Sequence, residues 1–199
     1  MNKVSTKDKT YLPAAGKDWL LPLYDPLTTL LGVQKCYHDL IAMTGFHPTD
    51  EILDVGCGTG SLVKVIKENA PRANVTGIDP DAKALAIAAK KLSGYINVRF
   101  DCGSGQILPY DHATFDHVLC SFVFHHMDIA EKVKMSREVR RVLKSGHNFL
   151  VMDFDSPEKC IRPSIPDILQ VAGFHSVQGH RERHCLLGSI GFYSAIKSA

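Results

Sequence analysis

From residue 51 to residue 154 the sequence alternates short apolar runs with amphipathic helical stripes, and this alternation restricts the fold more than any other feature. EILDVG (51–56) is an apolar run ending in glycine, and SLVKVIKENA (61–70) sets Leu62, Val63 and Ile66 on one helical face. NVTGID (74–79) reads as a second strand, with Pro80 at the first position of the next helix, where a missing N–H costs nothing. Ala82, Leu85, Ala86, Ala89 and Leu92 mark that helix, and INVRF (96–100) is a third strand. FDHVLCSFVF (115–124) reads as a fourth, buried on both faces. A helix is predicted over about 129–143, ended by Ser145–Gly146, and HNFLVMDF (147–154) is a fifth strand. Repeated β-α units predict a parallel sheet covered by helices on both faces, joined by right-handed crossovers. Beyond residue 155 a short helix around 163–173 precedes two strand-like runs, 174–182 and 189–197, that suit an antiparallel pair at the sheet edge.

The chain has 199 residues, enough to bury a full core without disulfide or metal staples. Its formal net charge is +2, so bulk electrostatics gives no reason to expect nucleic acid as a partner. Cys36, Cys57, Cys102, Cys120, Cys160 and Cys185 include no CxxC pair and read as free thiols of a reducing cytoplasm. MNKVSTKDKT has no apolar h-region, so no secretory signal is expected, and the apolar stretch 19–33 is too broken by Pro22, Asp25 and Pro26 to span a bilayer. We expect a disordered tail over 1–10, a helical lid over 11–50 and the main domain over 51–199. Trp19, Leu20, Leu21, Leu23 and Tyr24 could cover a ligand, extend the core or touch a membrane surface. Cover could equally come from a second copy of the chain in a homodimer.

The glycines of Asp54-Val55-Gly56-Cys57-Gly58-Thr59-Gly60 follow a strand and precede a helix, where they allow a tight turn and close approach of a ligand to the main chain. The dinucleotide fingerprint would need glycine or alanine at Ser61, and no Gly-Lys-Ser/Thr follows to make a phosphate loop. A carboxylate at Asp54 would repel a pyrophosphate and attract an ammonium group. Asp79 ends the second strand, where a carboxylate can accept both ribose hydroxyls. A nucleoside with an amino-acid tail satisfies both, and S-adenosyl-L-methionine (SAM) is such a molecule.

DVGCGTG (54–60), GIDP (77–80), LPY (108–110), FDHV (115–118), HH (125–126) and REVRRVLKSG (137–146) resemble the motifs of class I SAM-dependent methyltransferases, in particular the group that includes the ubiquinone/menaquinone C-methyltransferases. The resemblance covers about 50–155. It implies a Rossmann-like three-layer αβα sandwich with a mostly parallel seven-stranded sheet and an antiparallel C-terminal edge hairpin. It also implies that Asp54, Gly56, Cys57, Gly58 and Gly60 line the methionine part of the cofactor, that Asp79 and Pro80 meet its ribose, and that Ser121 lies under the sulfonium. The family's acidic–small pair at the adenine falls on Ser104 and Gly105; the acid is missing, which leaves Asp101 and Cys102 as substitutes.

SAM carries its own activated methyl group, so the protein has only to align a nucleophile, exclude water and, where needed, take a proton. His125 and His126, at the carboxyl end of a buried strand, are the candidate bases. Asp153 and Asp155 end the fifth strand on the same side, suited to substrate contact or to capping. His180, His184 and Cys185 fit no standard zinc spacing, so no metal is expected. Arg137, Arg140, Arg141 and Lys144 read as the solvated face of a helix. The expected function is methyl transfer to a small molecule. An RNA or protein methyltransferase is the alternative, lacking an Asn-Pro-Pro-Tyr-type motif where SFVFHH stands, and a non-catalytic SAM-binding module is a third.

Overall fold

A computed structural model describes residues 32–154, 163–185 and 188–198. Seven strands form one sheet in the order β3-β2-β1-β4-β5-β7-β6: β1 (Glu51–Val55), β2 (Asn74–Asp79), β3 (Val98–Cys102), β4 (Phe115–Ser121), β5 (Leu143–Phe154), β6 (Ser176–Cys185) and β7 (Gly188–Ile196). β1 to β5 are mutually parallel, while β7 runs antiparallel to both β5 and β6. This matches the expected fold, including the C-terminal hairpin.

Helices α1 (Val33–Ala42), α2 (Ser61–Asn69) and α3 (Ala82–Lys91) send Leu40, Ile66 and Leu85 into the core on one face of the sheet. Helices α4 (Ile129–Val142) and α5 (Ile165–Val171) send Val139 and Ile168 into the other. Strand alternation divides β1 between these layers: Ile52 joins the first, Leu53 and Val55 the second. Asp81, accepting from the N–H groups of Lys83 and Ala84, caps α3, so Pro80 precedes the cap and does not open the helix. Asp128 and Glu131 form a reciprocal capping box at the start of α4.

Two boundaries depart from the sequence reading. The fourth strand ends at Ser121. Phe122 adopts φ 56°, a left-handed conformation that costs a non-glycine residue about 1 kcal/mol or more. A single 3₁₀ turn, Phe124–His126, follows. SFVF looked like continued strand because Phe122 packs against one core layer and Phe124 is buried in the other. The helix before β5 stops at Val142, not at Ser145–Gly146, and the β4–β5 register jumps from Phe115↔Leu143 to His117↔Asn148.

The basic run is also not one solvated face. Arg141 pairs with Glu138 and donates to the carbonyls of Leu108 (2.8 Å) and Tyr110 (2.7 Å), while Glu138 accepts from the Leu108 N–H (2.9 Å). REVRR and LPY thus act together: the helix pins the turn. Arg140 donates to the Gly173 carbonyl, and Lys144 lies in β5 on Asp116.

Candidate functional site

A cavity of about 870 Å³ opens at the carboxyl ends of β1, β2 and β4, where parallel sheets present their ligands. Its volume lies in the range of small-molecule and cofactor sites. The Gly56–Thr59 backbone forms one wall, and the turn Ser104–Gln106 stands opposite it. Tyr37, Phe122 and Val123 carry the apolar side, next to Ser121 and His126.

Asp79, almost fully buried at the tip of β2, organises the loop. One carboxylate oxygen accepts the Gly58 N–H at 2.9 Å and the other accepts the Asp81 N–H at 2.8 Å. The carboxylate holds the glycine loop and the start of α3 at a fixed separation and still contributes to the cavity wall. Space beside Gly58 is open: an added Cβ there would meet no atom within 4 Å.

The sequence-derived residues separate into two groups. Gly56, Cys57, Gly58, Asp79, Pro80, Ser104, Gly105, Ser121 and His126 line the cavity; Asp54, Gly60 and His125 do not. Gly60 packs inward against Ala88, Leu92 and Phe100. Asp101 accepts the Tyr110 hydroxyl at 2.9 Å, and neither it nor Cys102 forms part of the wall, whereas the turn Ser104–Gln106 does. Tyr37, Gln106, Met127 and Glu131 also line the cavity and had not been singled out. Of these, Tyr37 left a trace in the sequence, as part of the apolar stripe of α1. The proposed lid residues 19–24, the tail 1–10 and Asp155 lie outside the described residues, as do the side chains of His184 and Cys185. His180 bonds Ser194, and no cluster suited to a metal occurs among the described residues.

Asp54 is fully buried, and neither carboxylate oxygen has a hydrogen-bond partner among the described residues. Burial first, then the charge of Asp79, raise its carboxyl from 3.8 to about 8. Near neutrality the Asp54 carboxyl is therefore mostly protonated. In the unfolded chain Asp54 ionises in the ordinary aspartate range, so folding takes up a proton. The contribution of this group to stability falls as pH rises from 3.8 to about 8 and is level above. Asp54→Asn is expected to flatten the decline of the ligand-free melting temperature across that window. An unchanged slope, measured by calorimetry at several pH values, would refute the assignment. The Cys57 thiol is also pushed up, by burial and by both aspartates, so it is a neutral wall group and not a thiolate nucleophile.

Behind the wall residue His126, Asp153 is buried and holds His125 twice, from ring Nδ1 at 2.8 Å and from the backbone N–H at 3.3 Å. The His125 ring lies against the His126 ring, centroids 3.8 Å apart. Burial, and next the neighbouring His125, lower the pKa of His126, which keeps it neutral at pH 7 and able to accept a proton. Phe154 packs edge-on to His125 and against Phe122, which meets Tyr37, so an aromatic band runs from α1 to the histidines.

These residues fit the SAM implied by the sequence resemblance. The open space at Gly58 and the Asp79 carboxylate in the wall suit a polar nucleoside with a cationic tail.

Residues 52–146 match the family model described as a methyltransferase domain. The demethylmenaquinone methyltransferase of Deinococcus radiodurans is 32% identical over 142 residues, covering 69% of this chain and 58% of that protein. The enzyme of the same name from Thermus thermophilus is 38% identical over 109 residues, 54% of this chain and 49% of that one. The chain thus spans about half the length of the curated relatives it matches. Among solved structures, phosphoethanolamine N-methyltransferase 2 of Haemonchus contortus, in complex with SAM, superposes with a TM-score of 0.79 at 15% identity over 94% of this chain and 58% of that one.

Proposed function

We propose that the chain, whose residues 52–146 match a methyltransferase domain, is a class I SAM-dependent methyltransferase that transfers a methyl group from SAM to a small, apolar, aromatic acceptor. The observation that carries this reading is a single cavity with a polar half at Asp79 and the glycine loop and an aromatic half at Tyr37, Phe122 and His126. The relatives named for quinone methylation support the acceptor class. No helix among the described residues is long and apolar enough to cross a membrane. The thiols of Cys57, Cys102 and Cys120 are free, which supports action in the cytoplasm.

Asp79 would hold the ribose, the Gly56–Gly58 backbone the amino-acid tail, and the Ser104–Gln106 turn the adenine. When bound, SAM supplies an electrophilic methyl group on a sulfonium. Tyr37, Phe122 and Val123 exclude water from the approach and orient a flat acceptor. His126 takes the acceptor's proton. His125, fixed by Asp153, is a positioning residue that holds the His126 ring.

The test is release of S-adenosylhomocysteine from SAM across hydroquinones, phenols, short RNAs and peptides. Turnover confined to the apolar arenes is expected. SAM binding with no turnover on any of them would support the non-catalytic module instead. His126→Ala is expected to lower kcat by about a hundredfold while SAM affinity is kept. In the parent enzyme, activity should fall as acid protonates His126, at a pH below the ordinary histidine range, and the variant should lack that acid limb. A retained limb would remove His126 from the proton transfer.

A further inference from the structure

A second cleft, of about 380 Å³, lies at the opposite end of the strands and is lined by His112, Arg137, Arg140, Arg141, Ala172 and Lys197. β4 starts beside it and ends at Ser121 in the first cavity, which separates the two by roughly 20 Å of strand. Five basic side chains and one alanine form its wall, with no carboxylate among the described lining residues.

The local contacts neutralise this charge only in part: Glu138 and Asp111 act on Arg141, and Glu138 also acts on His112. Arg141 is answered by Glu138. Arg140 donates to the Gly173 carbonyl and Lys197 to the Leu143 carbonyl, which orient the two cations without a counter-charge. Arg137 is exposed and makes no ion pair among the described residues. Burial and the nearby Arg140 both disfavour the charged form of Lys197, the mark of cations crowded together. The negative end of α4 accounts for Arg140 and Arg141 near its C-terminus. It does not account for Lys197, which arrives from the end of β7, or for His112 from the turn before β4. Two separate segments thus bring fixed positive charge to one concave surface, and a third adds the His112 imidazole.

We propose that this cleft is an anion site that takes a phosphoryl group. Guanidinium forks match the oxygens of a phosphate, and the ammonium of Lys197 adds a point charge from the other side. The volume lies at the small end of ligand pockets and suits a phosphomonoester or a lipid headgroup. The site is independent of the methyl-transfer reading, since none of its residues lines the first cavity.

Inorganic pyrophosphate titrated into the full chain by calorimetry tests the chemistry. Flotation with phosphatidylglycerol–phosphatidylcholine vesicles tells a headgroup from a soluble phosphate. Binding that weakens about tenfold or more in Arg137→Glu, with SAM affinity and melting temperature unchanged, is the expected result. Arg137→Gln should show a smaller loss and guards against a folding defect in the first variant. Vesicle binding lost in Arg137→Glu would make the headgroup the source; pyrophosphate binding without vesicle binding would make it a soluble phosphate. The proposal is overturned if neither probe binds, if Arg137→Glu binds both as tightly as the parent, or if only RNA binds.

Discussion

Asp79→Ala should weaken SAM binding by about a hundredfold in calorimetry, because one carboxylate both shapes the pocket and lines the cavity. Its two oxygens accept the Gly58 and Asp81 N–H groups at 2.9 and 2.8 Å. Hydrogen bonds to a charged partner contribute roughly 1.5–3 kcal/mol each, so releasing both frees the loop and the start of α3 together. Asp79→Asn keeps the shape and one acceptor, and its affinity should fall between the two. The substitution should also act on Asp54: with the second carboxylate gone, the Asp54 carboxyl should drop from about 8 toward the ordinary range. Unchanged affinity in Asp79→Ala would contradict the ribose assignment.

Gly60→Ala should lower stability by about 2–4 kcal/mol, combining the cost of a left-handed backbone with overpacking. Gly60 sits at φ 77°, and an added Cβ would stand 3.0 Å from the Ala88 Cβ and from Leu92, a distance that α3 can relieve only by moving off the sheet. For a chain of this size the melting temperature should fall by roughly 5–15 °C. Gly58→Ala provides the contrast. Gly58 has φ 50° but open space around it, so its substitution should cost about 1 kcal/mol of stability while its methyl group intrudes on the ligand. Two glycines one residue apart should therefore separate fold from binding. Equal effects of both variants on melting and on SAM affinity would refute that division.

The strands, their order of appearance and the glycine loop were legible because each rests on a local pattern: apolar alternation, a glycine at a turn, a carboxylate at a strand end. The division of labour among the site residues was not. Asp54 and Asp79 are both acids near glycines in the sequence. Only the packing of β1 between two layers shows that one is sealed off and protonated while the other lines the cavity. The bond between His125 and Asp153 joins residues 28 apart and selects which histidine is held and which faces the ligand. Ser121 as the last residue of β4 was hidden by the apolar run after it, whose side chains serve opposite faces of the sheet. The basic run misled for a similar reason, since charge periodicity does not reveal that Arg141 reaches across to the Leu108 and Tyr110 carbonyls.

The strand order has a consequence for biosynthesis. Among the described residues β6 pairs with β7 alone, and β7 follows it in the chain, so during translation β6 leaves the ribosome before that neighbour exists. Through that interval it is a naked edge, the kind of segment that recruits other nascent chains. SVQGHRERHC is a suitable sequence to spend that wait: it is rich in charge and poor in large apolar side chains, and it becomes part of the sheet only when GSIGFYSAI slots in between it and β5.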